Sequence, residues 1–244
     1  MYNFLKSAAK NIIPRKILIE NEERFRRLLI PLYKGKNNQC LICGTRLKHF
    51  AKLGNGNLIC PVCGSLPRTR RLYKLLQEEF LKPGMAFLDF SPSRMLYKKW
   101  KARKGISYFP TDFEDEFLSD YRYDITGIEA EDEKFDLIVC YHILEHITED
   151  RKAMNELYRV LKKDGTVLIQ TPFKEGEIYE DDSIVTEEER LRHFGQEDHV
   201  RIYSVKALES RLKTAGFRVT VRTFSEDVYY GFSAGEKILI CTKL

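Results

Sequence analysis

From Met85 to Leu244 the chain alternates short apolar runs with amphipathic stretches, and no other feature limits its possible folds as much. Strand patterns fall at 85–90, 106–111, 135–141 and 164–171, with a weaker one near 122–126 and two more at 217–224 and 237–243. Helical periodicity lies between them at about 93–103, 150–162 and 204–215. Parallel neighbours need a crossover, so strands interleaved with helices predict an α/β fold with a mainly parallel sheet covered on both faces. The linker "SEDVYYGFSAGE" between the last two strands is too short for a helical crossover, which predicts an antiparallel pair there.

Ahead of this alternation, "CLICG" and "CPVCG" form two C-x2-C pairs, Cys40 with Cys43 and Cys60 with Cys63. This spacing in a cytosolic chain predicts a tetrahedral thiolate site for structural zinc, closed to catalysis because four sulfurs leave no open position. Gly44 and Gly64 follow the second cysteine of each pair, where a tight turn calls for positive φ. Between the pairs, "LKHFAKLGNGNLI" predicts a hairpin turning at Gly54-Asn55-Gly56. Cys140 and Cys241 fall in apolar strand patterns and read as small buried hydrophobes.

Three segments result: basic amphipathic N-terminal helices at 1–36, with "ENEERFRRLL" the clearest, a zinc ribbon at 37–66, and the α/β domain at 67–244. A helix over "LPRTRRLYKLLQEEFLKPG" is expected to lead into the first strand. Charge divides sharply along the chain. Residues 1–105 carry 23 Lys and Arg against 6 Asp and Glu, and the remainder 18 against 30. The basic front predicts an anionic partner, whether a membrane surface, a lipid-linked pyrophosphate or nucleic acid, unless it docks on the acidic remainder. With no apolar run near 18 residues and an N-terminus broken by charge and Pro14, the expected compartment is the cytoplasm, with peripheral contact at the inner membrane face.

Open α/β sheets bind ligands at the carboxyl ends of their strands. The first strand ends in Asp89 and "FSPS", with no glycine in the turn, and the second in "PTDF". Asp112 stands 23 positions after Asp89, near the roughly 20-residue offset of a ribose-binding acid. The weak third strand ends at Asp124-Ile125, and the fourth delivers Cys140, Tyr141 and His142 to the same edge.

The run "FDLIVCYHILEHITEDRKAMNELYRVLKKDGTVLIQTP", with "LESRLKTAGFRVTV" later, resembles class I S-adenosylmethionine (SAM)-dependent methyltransferases of the type 11-like group, over roughly residues 66–244. The four-cysteine front, continued by "GSLPRTRRL", is similar to that of methyltransferases encoded with bacterial surface-polysaccharide synthesis genes. The resemblance implies a Rossmann-like sheet of seven strands with the last antiparallel, and SAM as cofactor. It implies SAM contacts from Asp89, Phe90, Ser91 and Pro92 in the first turn, with Pro92 opening the next helix. Asp112 is then expected at the ribose, Asp124 and Ile125 at the adenine, and Cys140 and Tyr141 in the wall. Since the usual glycines are replaced, an arginine of "PRTRR", Arg70 foremost, is expected to take the SAM carboxylate.

Methyl transfer to a sugar hydroxyl calls for a base near neutral pH, for which His199 and His142 are the candidates. His193, Arg201 and Tyr203, in a polar loop before the late helix, are expected to contact the acceptor, while Glu145 and His146 read as structural. The leading function is methylation of a sugar or lipid-linked glycan oxygen. RNA methylation is the alternative, favoured by the basic front and opposed by the acidic "EGEIYEDDSIVTEEE" and the lack of an "NPPY"-like motif. A non-catalytic zinc-ribbon scaffold is the third reading.

Overall fold

The computed structural model describes residues 26–54 and 56–244. The chain divides into two compact units, Met1–Glu79 with Phe224–Glu236, and Phe80–Thr223 with Lys237–Leu244. Most of the expected N-terminal helical region, residues 1–25, lies outside the described residues.

In the first unit, a short helical turn Ile30–Tyr33 precedes β1 (Lys34–Gln39), which pairs antiparallel with β2 (Arg46–Leu47). Strands β3 (Ala51–Lys52) and β4 (Leu58–Ile59) form the expected hairpin, whose Asn55 is outside the described residues. Helix α1 (Pro67–Leu75) starts with proline in its first turn, where the missing N–H is no loss, and buries Arg70, Arg71, Leu72 and Leu75. The segment 224–236, expected to be a simple connection, is an integral part of this unit. Gln39 N–H donates to Tyr229 O at 2.9 Å, and Arg71 pairs with Glu236 at 2.7 Å while its guanidinium lies 4.6 and 4.5 Å from the Phe224 and Phe232 rings.

The second unit is built on a six-stranded sheet in the order β11-β12-β8-β7-β5-β6. Its strands are β5 (Ala86–Phe90), β6 (Ser107–Thr111), β7 (Phe135–Tyr141), β8 (Leu161–Gln170), β11 (Arg218–Thr223) and β12 (Lys237–Thr242). The four β6, β5, β7 and β8 run parallel, while β12 is antiparallel to both β8 and β11, as the short linker predicted. Helices α2 (Arg94–Lys101), α3 (Asp150–Val160) and α5 (Val205–Thr214) fall where periodicity placed them. Leu88, Ile138, Met154, Leu157, Val167, Leu208 and Leu239 lie in one buried core.

Two expectations fail locally. The seventh strand, near 122–126, is reduced to a single bridge between Thr111 and Tyr121. Side chains take the hydrogen bonds a ladder would need: Tyr123 N–H donates to Thr111 Oγ1 at 2.8 Å, and Thr126 N–H to Asp124 Oδ1 at 2.8 Å, turning the chain away. Conversely, the stretch read as loop contains α4 (Glu187–Phe194). It opens with a capping box in which Thr186 Oγ1 accepts from Glu189 N–H and the Glu189 carboxylate accepts from Thr186 N–H, and it stops at Gly195 with φ 86°. A small pair, β9 (Tyr179–Glu180) and β10 (Arg201–Ile202), ties the two ends of this excursion together.

Candidate functional sites

The four cysteines of the first unit converge. Cys40 Sγ lies 3.6 Å from Cys63 Sγ, and Cys43 Sγ 3.8 Å from Cys60 Sγ. A tetrahedron of roughly 2.3 Å metal–sulfur bonds has edges of about 3.8 Å; these two spacings are close to that edge and all four sulfurs lie within 4.8 Å of one another, so the donor set is of the kind that holds zinc. The two knuckles repeat the same bonds. Gly44 N–H donates to Cys40 O and Gly64 N–H to Cys60 O, with φ of 71° and 80° at the two glycines.

Arg70, expected at the SAM carboxylate, is engaged within the first unit instead. Its guanidinium, completely buried, donates to the carbonyls of Tyr230 (2.9 Å), Ser65 (2.6 Å), Gly231 (2.6 Å) and Leu58 (3.4 and 3.3 Å), and stacks 4.1 Å from the Phe50 ring. Those contacts use all five N–H donors, leaving none for a SAM carboxylate. Burial pushes its pKa down, and the neighbouring cysteines oppose the fall.

In the second unit, the end of β5 holds Asp89 and Phe90, both buried, with Phe90 in the core. Tyr108 O–H donates to Asp89 Oδ2 at 2.9 Å, yet burial dominates and raises the Asp89 carboxyl to about 7. Ser91, at a position where the resemblance implies glycine, adopts φ 45°. Its hydroxyl donates to Asp112 Oδ1 at 2.6 Å, and Asp112 Oδ2 accepts from Glu116 and Phe117 N–H at 2.7 and 3.0 Å. Pro92 is buried but does not open the helix, because Ser93 is the N-cap of α2.

Asp124 is exposed and engaged in its own turn with Thr126, whereas Ile125 and Cys140 are core residues. Cys140 therefore does not wall a cavity, and burial pushes its thiol well up. Tyr141 and His142 follow it, half-buried, at the carboxyl end of β7.

His142 has φ 57°, a left-handed conformation uncommon for a side chain of this size. Its Nδ1 lies 3.1 Å from Glu145 Oε1, while its Nε2 and Glu145 Oε2 are buried without a hydrogen-bond partner among the described residues. Glu145, His146 and His199 bring their ligating atoms within 4.8 Å of one another. His146 and His199 meet edge to face with centroids 4.7 Å apart, and His146 Nδ1 is 3.0 Å from Asp198 Oδ2. Burial first, then His146, pulls the His199 pKa down, against Glu145 and Asp198. Glu145 and His146, read from sequence as structural, thus join the two expected histidines. Their spacing with His142, H-x-x-E-H, was the available signal.

Arg201 and Tyr203 do not face an acceptor. Arg201 is buried, donating to the carbonyls of Leu144, Ile147 and Thr148 (2.9 Å) and to Glu180 at 2.9 Å. Tyr203 O–H donates to Asp150 Oδ2 at 2.5 Å, and burial with that carboxylate raises its pKa beyond the ordinary phenol range. Both residues hold the Leu144–His146 turn and the His199 segment in register. His193 is exposed on α4, its Nδ1 2.6 Å from the Tyr179 hydroxyl.

Whether this edge fits SAM rests on its unpaired atoms. Ser93 Oγ, after β5, and His142 Nε2, after β7, are shielded from solvent and have no hydrogen-bond partner among the described residues. Polar groups orphaned at the carboxyl ends of adjacent strands fit a polar ligand there.

Two solved structures similar to this chain share its fold. A SAM-dependent methyltransferase from Archaeoglobus fulgidus is 15% identical with TM-score 0.53, covering 72% of this chain and 93% of that one. A phosphoethanolamine N-methyltransferase 2 from Haemonchus contortus, bound to phosphomonomethylethanolamine and S-adenosylhomocysteine, is 17% identical with TM-score 0.50, covering 71% of this chain and 52% of that one. No curated protein sequence matches. The sequence profile described as "Methyltransferase domain" matches residues 66–221, and by that match, on the fold just described, the chain belongs to the methyltransferase-domain family.

Proposed function

We propose that this protein methylates an oxygen of a sugar or lipid-linked glycan, using SAM. The observation that carries the reading is His142, whose Nδ1 is oriented by buried Glu145 and whose Nε2 is unpaired at the strand edge. A base held by a carboxylate, with its second nitrogen free, is the arrangement that removes a proton from a hydroxyl. SAM supplies, when bound, a methyl group on a good leaving sulfur. Ser91, Ser93, Asp112 and Tyr141 would hold it, with Asp112 oriented by its bonds to Ser91 and the 116–117 amides. Asp124 remains a reading for the adenine end, supported by its place beside the β6 edge. We read the four cysteines as a structural zinc site, supported by two sulfur spacings close to a tetrahedral edge.

The basic front third supports an anionic acceptor or surface, which suits a lipid-linked pyrophosphate at the cytoplasmic membrane face. No helix among the described residues is long and apolar enough to cross a membrane. The test is transfer of labelled methyl from SAM to lipid-linked sugars, with ribosomal RNA as competitor. The His142→Gln protein is expected to lose about a hundredfold or more in kcat with little change in S-adenosylhomocysteine affinity. Faster labelling of RNA than of any glycan, with steep salt dependence, would replace this reading by the RNA one.

A further inference from the structure

Glu145 Oε2 is the starting point. The residue is only 1% exposed, Oε1 is engaged by His142, and Oε2 has no hydrogen-bond partner among the described residues. A buried carboxylate oxygen left unpaired is costly unless something positive reaches it. The groups closest at hand are two imidazoles, His146 and His199, whose ligating atoms share a 4.8 Å sphere of separation with the carboxylate. Two histidines and one carboxylate are the donor set of divalent transition-metal sites with open positions.

We propose that Glu145, His146 and His199 bind a divalent cation of the manganese-to-zinc series, and that this cation takes the acceptor's hydroxyl oxygen. The site is built from two chain segments. The turn Leu144–His146 and residue 199 are joined by Val200 N–H donating to Glu145 O at 2.9 Å and by Arg201 donating to the carbonyls of Leu144, Ile147 and Thr148. His146 already has the outer partner a metal-bound histidine uses, since Asp198 Oδ2 lies 3.0 Å from its Nδ1 and leaves the other nitrogen for the ion. Ligands on bonds of about 2.1 Å stand roughly 3–3.5 Å apart, so the half-exposed His146 ring must close inward. Gln196 Nε2 is 2.9 Å from His199 Nε2, a contact that an ion at that nitrogen displaces.

Glu145 then serves both halves of the reaction. Oε1 orients His142 and Oε2 completes the cation site. The cation draws electron density from the acceptor hydroxyl and lowers its pKa. The acceptor oxygen forms its bond to the methyl carbon, the carbon–sulfur bond of SAM breaks with its electron pair left on sulfur, and the hydroxyl proton passes to His142 Nε2. The role of the cation rests on the O-methylation reading, but its binding does not.

The full chain, with its four-cysteine site loaded with zinc, is titrated with Mn2+ and followed by electron paramagnetic resonance and calorimetry. Mn2+ competes poorly for thiolates, so the second site is read separately. One Mn2+ per chain is expected. Glu145→Gln, His146→Ala and His199→Ala should each weaken binding at least tenfold, while S-adenosylhomocysteine affinity stays at the wild-type value and reports an intact fold. No Mn2+, Co2+ or added Zn2+ uptake by wild type, or uptake unaffected by all three substitutions, overturns the proposal. If Mn2+ binds and the substitutions abolish it, but no glycan is methylated, the cation site stands and the sugar-hydroxyl reading falls.

Discussion

The cysteine cluster of the first unit and the histidine edge of the second are both convergences of metal-type ligands, yet they are opposites in how completely their groups are satisfied. Around the four sulfurs every donor of Arg70 is engaged, and two opposite sulfur spacings, 3.6 and 3.8 Å, are close to a tetrahedral edge. At the strand edge, His142 Nε2, Glu145 Oε2 and Ser93 Oγ are buried and unpaired, and Ser91 and His142 hold left-handed backbone that glycine would adopt more easily. A site whose groups answer one another stabilises a fold, while one with unanswered groups gives up stability to keep atoms available for a ligand. On that contrast we read the first as a structural centre and the second as a reactive one.

The strongest way to break it is at the sulfurs. Cys60→Ser should release zinc to a weak chelator and forfeit binding free energy on the order of 10 kcal/mol. Hydrogen exchange would then quicken across 34–75 and 224–236, while β5, β7 and β8 keep their protection. Retention of one tightly bound zinc would remove the cysteines from the structural role.

Next in size is Asp89, which sharpens the other side. Its folded pKa of about 7 stands above the 3.8 of the free side chain, so between these values the folded protein holds a proton that the unfolded chain releases. The stability is present in full below about pH 4 and is lost as pH rises through 7, by up to about 4 kcal/mol. Asp89→Asn, neutral throughout, should therefore be the more stable protein at pH 8 and flat between pH 5 and 8 in urea midpoint, where wild type declines. Parallel pH profiles would show that Asp89 is ionised at no cost.

Arg70→Met should destabilise by about 3 kcal/mol, because four carbonyls of the first unit lose their donor. Its S-adenosylhomocysteine affinity, by calorimetry, should match wild type. Loss of affinity with zinc retained would return Arg70 to the cofactor and blur the division. The smallest effect belongs to Ser91→Gly. Relief of a φ of 45° and loss of the Ser91–Asp112 hydrogen bond oppose each other, so stability should move by less than about 1 kcal/mol. Cofactor affinity should nonetheless fall, as Asp112 loses its orienting partner.

By itself the sequence determined the local and periodic features. The βα alternation after Met85, the antiparallel final pair and the two cysteine knuckles depend on spacings of a few residues, and each is where those spacings placed it. Even α4, read as loop, carried its start signal in Thr186 and Glu189. The ordering of Asp89, Asp112 and His142 at successive strand ends was equally legible, because strand direction in a parallel sheet brings their carboxyl ends together.

Tertiary structure alone decided which polar residues are available. Arg70, Arg201 and Tyr203 look like ligand contacts in one dimension, and each is consumed by carbonyls or carboxylates distant in sequence, such as Arg70 with Gly231, 161 positions away. Glu145 and His146 gain their meaning from His199, more than 50 residues on, and from burial that leaves one carboxylate oxygen unanswered. Hydrogen-bond capacity is finite and solvent exposure is a property of the packed chain, so the difference between a bracing residue and a reacting one is settled only when every neighbour is in place.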